Sequence, residues 1–155
     1  MHTRSLHLLI GLLSTIAADI AAADESNFCS QLSIVVAEQP SKFRRLRSDR
    51  FDNRLDSFET DLMLPGFETC RVDAIVAGYY CMNRGLTTEA GDEFAGELIQ
   101  RVHSCYPAVR ADQGVDPKSV VPRTVTEWTF DNGTRIRIVR RVYREALGSV
   151  YISVR

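Results

Sequence analysis

The chain has 155 residues, 45% hydrophobic and 25% charged, with a formal net charge of −1. That length and composition suit one globular domain. The near-zero charge excludes a global field that would recruit nucleic acid or an anionic membrane. Positive charge is carried almost wholly by arginine, since Lys42 and Lys118 are the only lysines.

The first stretch reads as a secretory leader. Met1 to Arg4 carries a positive charge, Leu6 to Ala18 is largely apolar, and Ala21-Ala22-Ala23 supplies small residues at a cleavage site. The apolar run is shorter than the roughly 20 residues that span a bilayer. The expected organisation is therefore a signal peptide over 1–23 and a single disulfide-bonded domain over 24–155, exported to the periplasm or secreted.

All four cysteines, Cys29, Cys70, Cys81 and Cys105, follow the leader. An even number in an exported chain predicts two disulfides, and four cysteines allow three connectivities. Sequence does not choose among them. Placing the cysteines on the expected elements favours Cys70 with Cys81, on neighbouring strands, and Cys29 with Cys105, helix to helix. A metal site is disfavoured, because there is no C-x-x-C pair and the only histidine after the leader is His103.

Phe28, Leu32, Val35 and Val36 recur at helical spacing after Ser26, a candidate N-cap, and Pro40 should end that helix. Lys42 to Arg54 is basic, but Asp49, Asp52, Asp56, Glu59 and Asp61 follow and neutralise it, so it reads as a solvated connection. Leu55 to Leu64 reads as a first strand ending at Pro65-Gly66. Cys70, Val72, Ala74 and Val76 then alternate with Arg71 and Asp73, the signature of a strand with one wet face. Tyr79 to Met82 is a third strand.

Thr87 or Thr88 caps a second helix running to about Ser104. Its stripe is Phe94, Leu98, Val102 and Cys105, and Pro107 stops it. Residues 108–122 read as a long surface loop. Val125 to Phe130 and Arg135 to Arg140 form a hairpin about Asn132-Gly133, a pair that suits a type I′ turn. A turn over Glu145 to Ser149 leads to the last strand, Val150 to Val154. The expected class is α+β, an antiparallel sheet with two helices packed on one face, in the order helix, three strands, helix, three strands.

No nucleophile elbow, glycine-rich phosphate loop or His-Glu-x-x-His motif occurs. Oxidised cysteines cannot serve as thiolates, and nothing calls for a cofactor. These features predict a small exported, non-catalytic interaction module of accessory, inhibitor or immunity type, bound to another envelope or secreted protein. The candidate contacts are Arg135, Arg137, Arg140, Tyr79 and Tyr80. Arg137 and Arg135 share a strand face, where Glu127 or Asp131 could pair with them. Two other classes compete. One is a hydrolase of an envelope polymer using carboxylates among Asp92, Glu93, Glu97 and Glu127. The other is a polyanion binder using an arginine strip made of Arg135, Arg137, Arg140, Arg141 and Arg144.

Overall fold

Residues 24–38 form helix α1, and its buried residues Phe28, Leu32 and Val35 recur at intervals of four and three along one side. Ser26 lies inside this helix. Pro40 ends it as a 3₁₀ turn over Gln39–Ser41, with the proline accommodated in the first turn. The computed structural model describes residues 24–116, 119, 121–143 and 147–155. The expected leader over 1–23 lies outside the described residues, as do Arg144 and the start of the expected turn at Glu145.

Four strands follow α1: β1 (Phe51–Asp52), β2 (Ser57–Glu59), β3 (Thr69–Asp73) and β4 (Gly78–Thr87). Helix α2 (Thr88–Cys105) comes next, then β5 (Ala111–Val115), β6 (Arg123–Thr129), β7 (Arg135–Val142) and β8 (Leu147–Val154). All eight strands make one sheet in the order β1-β2-β3-β4-β8-β7-β6-β5, and every neighbouring pair is antiparallel. Each half of the chain is thus a helix and a four-strand meander. The two halves join where β4 meets β8, the last strand of each.

Four strands per half replace the expected three, and local chemistry explains both additions. In the first half the Asp52 carboxylate accepts from the backbone N–H of Arg54 at 2.9 Å. That side-chain turn makes a strand, β1, of the end of the expected Lys42–Arg54 connection, and the strand expected over Leu55 to Leu64 is shortened to β2, its hairpin partner. In the second half β5 lies within the expected loop 108–122. All five of its residues are exposed, so it exists by backbone pairing with β6 and carries no burial pattern to read. β3 also ends sooner than its alternation suggested. Asp73 accepts from the N–H groups of Ile75 and Val76, both at 2.8 Å, and turns the chain before Ala74.

The 131–134 hairpin is not a type I′ turn. Gly133 has φ of 83° while Asn132 is absent from the positive-φ set, and Gly133 N–H donates to the Phe130 carbonyl at 2.9 Å. A type I turn closed by a left-handed glycine is the three-residue alternative, and it uses the Asn132 side chain to hold Thr134 N–H at 3.0 Å.

The core draws on both helices and both meanders. Phe28, Leu32 and Val35 of α1 and Ala95, Leu98 and Val102 of α2 join Val72, Tyr79, Trp128, Ile138, Ile152 and Val154 in one apolar cluster. α2 packs against β4, β7 and β8. It begins where Thr87 accepts from Ala90 N–H at 3.2 Å, a side-chain N-cap. Disulfides join Cys29 to Cys105, across 76 residues, and Cys70 to Cys81, which face each other on β3 and β4. The Arg101 guanidinium sits 4.2 Å from the Phe28 ring centroid and bonds Asp24 at 3.0 Å, a further tie between the helices.

Asn83 fastens the turn before β3. Its side-chain oxygen accepts from Glu68 N–H at 2.7 Å and its amide donates to the Gly66 carbonyl at 2.8 Å. Both partners are backbone groups, and Asn83 is buried. Asn83→Ala leaves them unpaired, so a loss of about 2 kcal/mol is expected in urea unfolding, with an unchanged m-value.

Candidate functional site

Alternation along β4 and β8 sorts their side chains into two sets. Tyr79, Cys81, Val150, Ile152 and Val154 belong to the core. Tyr80, Met82 and Arg84 of β4 stand opposite Ser153, Tyr151 and Ser149 of β8, and point the other way. On β7, Arg137, Val139 and Arg141 continue those same rows. On β6, Glu127, Val125 and Arg123 extend them. We call this second set the outer face.

The outer face is polar but closely covered by its own side chains. Val139 is 1% exposed although it stands outside the main core cluster. Ion pairs occupy both flanks: Arg71 with Asp52 at 3.3 Å, Arg137 with Glu127 at 2.8 Å, and Arg123 with Asp116. The Arg137–Glu127 pair is a directly opposed cross-strand pair.

Between those flanks lies a depression of about 210 Å³. Tyr80, Ser153, Met82 and Tyr151 line it from the paired central strands. Asp73 and Val76 line it from the β3–β4 turn, and Arg141 and Arg155 bring positive charge. Gly78 leaves room for Arg155, whose Cγ would lie 3.4 Å from any Cβ at that position. The Arg141 guanidinium carbon is 5.0 Å from the Tyr151 ring centroid, and its Nη2 donates to the Tyr151 hydroxyl at 3.3 Å. Burial acts to lower the Arg141 pKa, but hydrogen bonds and charge interactions with Tyr143 and Tyr151 outweigh it and raise the pKa above the ordinary value. The Tyr143 phenol is lowered by its hydrogen bond to Ser149 and, against the effect of burial, by Arg141. Among the described residues neither Arg141 nor Arg155 pairs with a carboxylate.

No family model, curated protein or solved structure matches this chain. Its chemistry is therefore read from these side chains.

The structure divides the expected contact residues. Tyr80 lines the depression, but Tyr79, its neighbour, is 0% exposed and belongs to the core. Its hydroxyl donates to the Leu62 carbonyl at 2.7 Å and lies 3.1 Å from Cys81 Sγ. Burial pushes the Tyr79 phenol above its usual range, so this side chain is a core strut and no surface contact. Arg140 is likewise reassigned. It stands on the core side of β7, where Nη2 donates to the Thr88 carbonyl at 3.0 Å and Nε pairs with Asp92 at 2.6 Å. It therefore anchors the start of α2. Arg135 is exposed at the start of β7, and Arg137 is bound to Glu127. The expected arginine strip is thus split between two faces, because Arg140 and Arg141 are adjacent on a strand. Arg141, expected only as part of that strip, lines the depression, and Met82, Tyr151, Ser153 and Arg155 are among the lining residues not expected as contacts. The strand parity of Ile136 and Ile138 could have placed Arg141 with Arg137, but only the β4–β8 pairing sets Tyr151 beside Met82.

The carboxylates proposed for hydrolysis do not converge. Asp92, Glu93 and Glu97 are exposed along α2, and Glu127 is held by Arg137 on β6. The basic segment borders a second depression, of about 330 Å³, lined by Arg45, Arg47 and Asp61 among others. Its arginines are committed: Arg45 to Glu38 at 3.4 Å, and Arg47 to the Lys42 carbonyl at 3.0 Å and the Phe58 ring at 4.9 Å. Among the described residues no group of three His, Cys, Asp or Glu could hold a metal ion, and no helix is long and apolar enough to cross a membrane.

Proposed function

We propose that this protein is an exported, non-catalytic binding module that engages another envelope or secreted protein through the outer face of its sheet. Helices α1 and α2 then cover one face together, which frees the opposite face for a partner. The shared apolar cluster of the two helices supports that arrangement, as does the strand alternation that turns Tyr80, Met82, Tyr151 and Arg141 away from it. Two disulfides suit an oxidising compartment.

One observation carries the reading. Tyrosine, methionine and arginine, the residue types enriched where proteins meet, gather on a face whose rim exposes Ile75 at 76% and Val76 at 52%. Those two apolar side chains sit at a turn tip, where nothing in the fold requires them. A partner that covered the tip and filled the depression would bury them together with the two tyrosines. The ion pairs along both flanks would form the polar rim.

The test compares capture by matched proteins. Immobilised wild type and a Val76→Asp/Tyr80→Ala variant are exposed to the same envelope and culture fractions, and retained proteins are quantified by mass spectrometry. A partner held by the wild type and reduced at least tenfold by the variant is expected. A partner held equally by both would place the contact elsewhere and end this reading.

A further inference from the structure

We infer that the depression on the outer face is a carboxylate-binding site that takes one acidic group of the protein partner. The inference rests on the reading of that face as a binding surface and names the chemistry it recognises.

Three independent features point to an anion of single charge. Arg141 is half-buried, is braced by the Tyr151 ring and hydroxyl, and forms no ion pair with a carboxylate among the described residues. Elsewhere on this face Arg71, Arg123 and Arg137 are each neutralised by an acid. A braced guanidinium whose outer N–H groups still lack an acid is shaped for a planar carboxylate. Second, Ser153 is 4% exposed, lines the depression, and its hydroxyl has no hydrogen-bond partner. A buried hydroxyl without a partner is costly, and an oxygen acceptor entering from the depression would satisfy it. Third, the lining side chains carry two positive charges, Arg141 and Arg155, against one negative, Asp73, whose Oδ1 accepts from two backbone N–H groups. A monoanion balances that set, whereas a dianionic phosphate would exceed it.

Size selects the carrier. At about 210 Å³ the depression is smaller than the roughly 300–1,000 Å³ of a site for a whole small-molecule ligand. It suits one side chain or one chain end, with its apolar part against Tyr80, Met82 and Val76.

The experiment is an NMR titration of the isotope-labelled, oxidised protein with two matched pairs of probes. N-acetylphenylalanine is compared with N-acetylphenylalaninamide, and N-acetyl-Asp-Phe-amide with N-acetyl-Asn-Phe-amide. In each pair only the carboxylate differs. At least tenfold tighter binding of an acid than of its amide is expected, with the largest shifts at Arg141 Nε–H and at the Ser153 and Tyr151 amides. Preference within the first pair identifies a chain end, and within the second an acidic side chain. Arg141→Gln should remove the preference and Arg141→Lys should restore part of it. Equal binding of acid and amide, or shifts confined to other residues, overturns the inference on the wild-type protein alone. The capture comparison separates this outcome from failure of the broader reading. A partner lost on Val76→Asp/Tyr80→Ala but kept on Arg141→Gln leaves the binding face intact and removes the carboxylate site. Acid-selective probe binding with no partner sensitive to the face does the reverse.

Discussion

Replacing Cys29 and Cys105 together by serine is expected to lower the melting temperature by about 10–15 °C. Their bridge closes a loop across 76 residues, and the chain-entropy relation for so long a loop gives about 4 kcal/mol. For a chain of this length each kcal/mol corresponds to roughly 3–4 °C. The loss should be local as well as global. Cys29 lies one residue from Phe28, and the bridge holds α1 against the end of α2. In the variant α1 is tied to α2 by its apolar contacts, the Arg101–Phe28 cation–π contact and the Arg101–Asp24 pair, which is more than half exposed on the aspartate side. Thermal unfolding by circular dichroism in oxidising buffer measures the stability. Limited proteolysis should then cut first between α1 and β1. A melting point within about 3 °C of wild type would mean that the helix contacts alone hold α1 in place.

The second large effect is expected at Trp128, the sole tryptophan. It is 0% exposed and stands opposite Ile136 of β7 and Ala111 of β5. Trp128→Ala removes a large buried side chain and should cost about 3–5 kcal/mol, since a sheet paired on both sides collapses little into the cavity. Equilibrium urea unfolding monitored by circular dichroism gives the value, because the variant has lost its fluorophore. The same residue provides an independent check in the wild type, where tryptophan emission should be blue-shifted in the folded state and move to the red in the same transition as the circular dichroism signal. A cost below about 1 kcal/mol would show that β5 and β6 add little to the cooperative unit.

The contrast between the cysteine pairs is instructive. Cys70 and Cys81 are only 11 residues apart and already aligned by the β3–β4 ladder. Their bridge closes a short loop that strand pairing also closes, so its removal should cost less than that of Cys29–Cys105. The two bridges therefore do different work: one tightens a hairpin, and the other joins the helices of the two halves.

Much of the chain was legible where a side-chain pattern repeats locally. The Phe94, Leu98 and Val102 stripe locates α2 because a spacing of four keeps those residues on one side of a helix, and Thr87 marks its start by satisfying a free N–H. The Arg137–Glu127 contact follows from a tight hairpin, which sets the register of β6 against β7 without help from the rest of the fold. The α+β class follows from the same local signals.

Tertiary structure decided the rest, and the candidate site, Tyr80 apart, is of that kind. β5 has no apolar alternation to read, because its five residues are exposed and backbone pairing with β6 alone makes it a strand. Tyr79 and Tyr80 are chemically identical neighbours, and a strand turns one inward and the other outward whichever comes first; contact with the core chose Tyr79. Arg140 and Arg141 are divided by the same parity, one to Asp92 on α2 and one to Tyr151. The depression itself requires β4 to lie beside β8, strands from opposite halves of the sequence. Local propensity cannot encode that pairing. The pairing brings Tyr79 and Cys81 of β4 and Val150, Ile152 and Val154 of β8 into one apolar cluster. The sequence by itself thus determined the class of the fold, the second helix and the terminal hairpin, and the long-range union of β4 with β8 decided which side chains meet on the outer face.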